Sequence, residues 1–312
     1  MDVGFIGLGT MGAHMARSLQ KKGHKLFVHD ARRAAADSHV GDGATWIDSP
    51  KAVAEIAEVV FTSLPGPPEV EAVALEPDGL LYGMRAGGVW FDLSTNAPPT
   101  VRKLNAIFAT RGIHMLDAPV SGGPAAAAAG KLALWVSGDA ASYAKYQAVL
   151  ADIGNQARYI GESGQGSVAK LVHNCAGYII NIGLAEVFSL GVKAGMEPLA
   201  LWEAVREGAL GRNRTFDVMA PNFLPAHFDP PNFALKLAHK DVSLATQLGR
   251  ELGVPMRLAN MTLAEMTEAM ARGWGDRDSR CAMLLETGRA GVTVKVDPEA
   301  IKAVLNPKNP AT

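Results

Sequence analysis

The apolar positions in the first half of the chain fall in short runs separated by longer amphipathic stretches. Val3–Ile6, Lys25–His29, Val59–Ser63, Val89–Asp92, His114–Asp117 and Leu132–Val136 have the length and apolar content of strands. Helical patterns separate most of them, for example Met11–Lys22 and Pro98–Thr110. This alternation predicts a parallel sheet with helices on both faces. The runs lack a clean period of two, as strands buried on both faces do.

The pattern changes near residue 160. After Gly161-Glu162-Ser163-Gly164 the strand-like runs almost disappear. From Gln165 to about Ala194 runs one apolar-rich segment without proline. As a helix rising about 1.5 Å per residue, it is long enough to reach across two domains. Further helical patterns follow at Leu199–Glu207, Phe233–Leu252 and Arg257–Arg272. Pro221, Pro230-Pro231, Gly253-Val254-Pro255 and Gly273 break them. The predicted organisation is an α/β domain over residues 1–162, then an all-α domain over residues 163–312, joined by the long helix. Ala125–Ala129 is low in complexity but too short for a linker, and Asn306–Thr312 reads as a frayed end.

Composition narrows the class. The 312 residues are 48% apolar and 20% charged, which is ordinary for a globular protein. The net charge is −1, and lysines and arginines cluster no further than pairs such as Lys21-Lys22. Nothing in that balance favours nucleic acid or an anionic membrane as partner. Cys175 and Cys281 form neither a disulfide framework nor a metal motif, which fits a reducing, cytoplasmic setting. The start, Met1-Asp2 followed by Val3-Gly4-Phe5-Ile6, carries no signal-peptide pattern. No apolar run reaches the roughly 20 residues that span a bilayer. With no HExxH and no carboxylate cluster at ligand spacing, no metal site is expected.

Gly7-Leu8-Gly9-Thr10-Met11-Gly12 has the GxGxxG spacing between a strand and a helix, the setting of a Rossmann dinucleotide site. Gly7 permits the tight turn, Gly9 lets backbone approach a pyrophosphate, and Gly12 lets the helix pack closely. The helix N-terminus offers N–H groups to the phosphates. Asp30 ends the second strand, where a carboxylate accepts from the ribose 2′-hydroxyl and repels a 2′-phosphate. That favours NAD, while Arg32 and Arg33 keep NADP open as phosphate partners or plain surface arginines. Leu64-Pro65 and Ser94-Thr95-Asn96 follow later strands and border the same edge, although such residues also serve as ordinary turns and helix caps.

Two further segments carry candidate chemistry. Asp117-Ala118-Pro119-Val120-Ser121-Gly122-Gly123 follows a strand. The Ser121 hydroxyl and the Gly122 and Gly123 N–H groups can converge on an anion, for which a small carboxylate is a fitting guest. A glycine turn without ligand uses the same residues. Gly164-Gln165-Gly166-Ser167-Val168-Ala169-Lys170-Leu171-Val172-His173-Asn174 opens the long helix. Lys170 and Asn174 share a face at i and i+4, with His173 beside them. In a dry cleft, Lys170 is a candidate general acid/base. A snorkelling lysine, a packing histidine and a helix-face amide are the bland alternatives. Lys240-Asp241, within a later helix, reads as a solvated charge pair.

Together these motifs resemble the β-hydroxyacid dehydrogenase family. The likeness runs in order through Phe5–Gly12, Asp117–Gly123, Gly164–Asn174, and Phe233-Ala234-Leu235 followed by Lys240-Asp241-Val242, nearly the whole chain. The resemblance implies a Rossmann domain, a helical second domain and a homodimer or homotetramer. It implies an NAD(P)-dependent oxidoreductase acting on a small 3-hydroxy acid or its semialdehyde. Lys170 would be the acid/base and Asn174 would orient the substrate. Ser121, Gly122 and Gly123 would hold its carboxylate, with His173 nearby. Leu8, Thr10 and Met11 of the glycine loop, with Leu64, Pro65, Thr95 and Lys240, would contact the dinucleotide.

Some residues depart from the pattern. His173 is closer to the phosphogluconate enzymes, but this chain is far shorter than those. Pro124 and the alanines replace more varied residues, and Trp135 is bulky for its place. Imine reductases share the architecture but usually lack a lysine at the position of Lys170. Gly211-Arg212-Asn213-Arg214 faces the substrate tail or forms a solvated basic turn. A non-catalytic dinucleotide-binding module is the alternative from another class: it would keep Gly7, Gly9 and Gly12 but need not keep Lys170.

Overall fold

A computed structural model of the chain describes residues 1–208, 211, 215–253 and 256–305. They fall into two compact units, Met1–Val172 and His173–Thr312. The first holds strands β1 (Asp2–Ile6), β2 (Lys25–His29), β3 (Thr45–Trp46), β4 (Val59–Thr62), β5 (Val89–Asp92), β6 (His114–Asp117), β7 (Val120–Ser121), β8 (Ala133–Ser137) and β9 (Gln156–Gly161). Its helices are α1 (Gly12–Lys21), α2 (Asp37–Gly41), α3 (Pro50–Ile56), α4 (Pro67–Leu75), α5 (Leu80–Gly83), α6 (Pro98–Ala109), α7 (Gly123–Ala128) and α8 (Ala140–Ile153).

The strands form one sheet in the order β3-β2-β1-β4-β5-β6-β8-β7, with β9 beside β8. From β3 to β6 every pair is parallel, as the alternating pattern predicts. Beyond β6 it is mixed: β8 runs antiparallel to β6 and β7 and parallel to β9. The connection explains the reversal. Only the short α7 lies between β7 and β8, and a parallel crossover needs a dozen or more residues. The chain therefore turns back on itself, pairing Asp117 with Ser137 and Ser121 with Ala133.

Register brings an aromatic row across the sheet. Phe5 pairs with Phe61 and Phe61 with Phe91, and the rings stack at 6.3 and 5.4 Å. Tyr146 of α8 meets Phe91 edge-on, and Met15 and Leu19 of α1 fill the same layer. Ile6, Val60 and Trp90 face the opposite layer, with Val53, Leu104 and Phe108. Burial on both faces is why these strands read as continuous apolar runs. Register also aligns the strand ends: Ile6 lies beside His29 and Thr62, Thr62 beside Asp92, and Asp92 beside Asp117. The loops that follow these ends share one edge of the sheet, the edge where open α/β sheets bind ligands.

His39 of α2 is fully buried; its Nδ1 lies 2.9 Å from Gln20 Oε1, and its Nε2 has no hydrogen-bond partner. Burial first, then Arg17, pulls this imidazole below its ordinary value. The unfolded chain therefore binds a proton that the fold resists. The stability this group contributes is whole above about pH 6.5, the free imidazole value, and is lost as pH falls below it. The melting temperature should drop between pH 7.5 and 5.5, and His39→Gln should flatten that slope in a scan at constant ionic strength. An unchanged slope in the variant would remove His39 as the cause.

Helix α9 (Gln165–Lys193) carries the chain from one unit into the other, with the division after Val172. The second unit continues with α10 (Pro198–Glu207), α11 (Leu235–Glu251), α12 (Arg257–Ala271), α13 (Leu284–Ala290) and α14 (Pro298–Leu305). Trp202, Phe188 and Phe223 are among its largest buried side chains. Among the described residues, its β structure is limited to one isolated bridge, Ala234 with Asp278. No described helix is long and apolar enough to cross a membrane.

Candidate active site

The glycine loop shows three different uses of one residue type. Gly7 has φ +93°, and a Cβ there would stand 2.2 Å from the Ser63 carbonyl oxygen. A Cβ on Gly12 would stand 1.9 Å from the Gly7 carbonyl oxygen, so α1 packs against the turn backbone to backbone. A Cβ on Gly9 would meet nothing within 4 Å. That open backbone borders a cavity of about 490 Å³ whose lining includes Leu8, Thr10, His14 and Arg32. A turn held by two glycines and exposed at the third, opening the N-terminus of α1, fits a dinucleotide pyrophosphate. Met11, just before α1, is half-buried.

Asp30 has a structural task as well. Its carboxylate accepts from Leu8 N at 2.7 Å and from Arg32 N at 2.8 Å, tying the glycine loop to the end of β2. Arg33 is occupied by Asp37 at 2.9 Å and by the Trp46 ring at 4.6 Å. The Arg32 side chain is 76% exposed, lines the cavity, and has its Nε 3.9 Å from Asp30 Oδ1.

The next two loops are tied together behind the edge. Asp92 is fully buried and accepts from Thr62 Oγ1, Ser94 N and Asn96 Nδ2 at 2.9–3.1 Å. Burial pushes its carboxyl above the usual range against the pull of those donors. Ser94 Oγ in turn accepts from Leu64 N at 2.9 Å. Ser94 and Asn96 are thus structural, and Thr95 between them is half-buried. Leu64, Pro65 and Thr95 follow the aligned ends of β4 and β5.

Ser121 ends β7, with Gly122 at φ +138° and Gly123 at φ +70°. A Cβ on Gly122 would stand 2.6 Å from Ala126, whereas one on Gly123 would meet nothing within 4 Å. The alanine tract forms α7, with Pro124 in its first turn. Alongside this segment, α9 begins. Asp117, 1% exposed, accepts from Gly164 N at 2.9 Å, from Ser167 N at 2.7 Å and from Ser137 Oγ. Ser137 Oγ accepts from Gly166 N at 2.9 Å. Lys170 follows one turn later and is half-buried, beside the buried Leu171. His173 is exposed, in contrast to the half-buried Lys170 and Asn174 that share its helix.

In the second unit, Asn174 Nδ2 donates to Asp241 Oδ2 at 2.6 Å, and Lys240 Nζ lies 3.0 Å from Asp241 Oδ1. Asp241 is 1% exposed, so Lys240-Asp241 is not the solvated pair its sequence suggests. Nothing in the residue pattern marks the supporting bonds that Asp117, Ser137, Asp92 and Asp241 make. Their only signal was position, at strand ends or beside a named lysine. Cys281 is buried and its thiol is pushed up to about 12 by desolvation, and burial also raises Cys175, so neither suits nucleophilic work. Arg212 and Arg214 lie outside the described residues.

Known proteins carry the same organisation. A profile described as the NAD binding domain of 6-phosphogluconate dehydrogenase matches residues 2–161. A second, described as NAD-binding of NADP-dependent 3-hydroxyisobutyrate dehydrogenase, matches residues 164–285. The chain is 34% identical to 2-(hydroxymethyl)glutarate dehydrogenase of Eubacterium barkeri, covering 94% of this chain and 97% of the relative. It is 36% identical to NAD-dependent L-serine dehydrogenase of Pseudomonas aeruginosa, covering 89% and 95%. The crystal structure of a 3-hydroxyisobutyrate dehydrogenase from Salmonella typhimurium matches with a TM-score of 0.81 at 26% identity, over 91% of this chain and 99% of that one. Two profiles in tandem, relatives of the same length, and a glycine loop built for a pyrophosphate agree: this chain belongs to the β-hydroxyacid dehydrogenase family of NAD(P)-dependent oxidoreductases.

Proposed function

We propose that the protein transfers a hydride between NAD(P) and the carbinol carbon of a small 3-hydroxy acid, or reduces the matching semialdehyde, with Lys170 as general acid/base. One observation carries the assignment of Lys170. The first turn of α9 is hydrogen-bonded to Asp117, which opens the Asp117–Gly123 segment, and Lys170 stands three residues beyond Ser167. The acid/base and the carboxylate loop thus grow from one anchored junction.

Gly7, Gly9, Gly12, Asp30, Leu64, Pro65, Thr95 and Lys240 would hold the dinucleotide, which when bound accepts or supplies the hydride. Ser121 Oγ and the N–H groups of Gly122 and Gly123 bind the substrate carboxylate. Asn174 orients the carbinol. In oxidation neutral Lys170 takes the hydroxyl proton; in reduction its ammonium returns the proton to the developing alkoxide. The substrates named for the three relatives, 2-(hydroxymethyl)glutarate, L-serine and 3-hydroxyisobutyrate, share a hydroxymethyl group beside a carboxylate-bearing carbon. That shared unit is what a carboxylate loop and an acid/base lysine would recognise.

NAD is the preferred cofactor in this reading. Asp30 keeps a second lone pair on each oxygen for a ribose hydroxyl, and its charge opposes a 2′-phosphate. Arg32 leaves NADP usable. The copies associate as a homodimer or homotetramer, for which the exposed apolar Val172 and Ile180 of α9 are suited. A panel of small 3-hydroxy acids with NAD and with NADP tests the whole reading. Turnover is expected on at least one acid, with NAD saturating at the lower concentration. Dinucleotide binding without turnover on any acid or semialdehyde would leave the non-catalytic module standing.

A further inference from the structure

We infer that Asp117 and Ser137 form a clamp that positions Lys170, a task separate from holding substrate. The inference rests on the lysine acid/base reading above. A helix begins with backbone N–H groups that have no partner in the helix, and they are usually satisfied by a residue at its own cap. At α9 much of that work is done from the sheet. Gln165 N finds the Glu162 carbonyl at 3.0 Å. The N–H groups of Gly164, Gly166 and Ser167 all go to Asp117 and Ser137, which face each other as an antiparallel pair at the ends of β6 and β8. Ser137 Oγ closes the set by donating to Asp117 Oδ1.

This arrangement defines both the height and the rotation of the helix. Two carboxylate oxygens and one hydroxyl meet three N–H groups on successive sides of the first turn, so a slide or a twist breaks several bonds together. The approach is as close as backbone allows. A Cβ on Gly166 would stand 2.4 Å from the Trp135 carbonyl oxygen and 2.9 Å from Asp117 Oδ2. Asp117, Ser137, Gly164 and Ser167 are each buried, so water does not compete for the bonds. Lys170 is held through this turn, three residues on. A displacement of about 1 Å at a reacting group costs on the order of 100-fold in rate.

The test uses the full chain with the best acid from the panel. Asp117→Asn puts an amide N–H where an oxygen accepted, and kcat should fall about 100-fold. Ser137→Ala removes one acceptor and should cost about 3- to 10-fold in kcat. In both, NADH affinity should stay within about twofold, because the glycine loop is not touched. The deciding measurement is the same change made in Lys170→Ala: with the lysine gone, Asp117→Asn should alter residual turnover by less than about twofold. An equal loss with and without Lys170, or a lowered melting temperature with kcat unchanged, would make the clamp a stability feature and overturn the inference. If Asp117→Asn does not fold, the Ser137→Ala cycle decides in the same way. Near-normal turnover of Lys170→Ala itself overturns the lysine reading, and the clamp with it.

Discussion

Lys170→Ala is expected to cut turnover about 100- to 10,000-fold while NADH still binds. The carbinol oxygen must lose a proton as the hydride leaves, and an alkoxide formed alone beside a carboxylate is costly. A lysine can take that proton only when neutral. Lys170→Arg is the sharper companion variant. A guanidinium keeps charge and length but does not give up its proton near neutrality, so oxidation should stay as slow as in the alanine variant. Reduction should also stay slow, because arginine is a poor proton donor at that pH. Steady-state rates in both directions, with NADH binding followed by fluorescence, check these outcomes. Turnover within a fewfold of wild type in either variant would move the acid/base elsewhere.

The parts of this molecule legible in the sequence are those encoded locally. Val59–Thr62 and Val89–Asp92 announce themselves because both faces of the strand are buried, and every residue in them is apolar or ends the strand. The glycine loop is legible because steric limits at Gly7 and Gly12 leave no substitute. What escaped depends on partners far apart in the chain. Ser167 is bonded to Asp117 fifty positions away, and Asn174 to Asp241 sixty-seven away. Asp241 next to Lys240 therefore reads as a surface pair, and only the fold buries it. The short β3 and the half-exposed β9 carry too little pattern to stand out.

Gly9 and Gly12 should respond in opposite ways to the same methyl group. At Gly12 the new carbon would lie 1.9 Å from the Gly7 carbonyl oxygen, and that oxygen cannot yield. Gly7 is fixed by its turn and by its N–H bond to the His29 carbonyl at 2.9 Å. Helix α1 would have to back away, loosening Met15, Ala16 and Leu19 in the core. Gly12→Ala should therefore cost about 1–3 kcal/mol or more in stability, seen as a melting temperature lower by several degrees, with about 2–4 °C expected for each kcal/mol. At Gly9 the added carbon meets open space, and stability should be unchanged. That open space is where the pyrophosphate would approach the backbone, so Gly9→Ala should weaken NADH by about tenfold or more. The contrast separates a glycine kept for packing from one kept for ligand. NADH affinity unchanged in Gly9→Ala would mean that the dinucleotide does not lie against this loop.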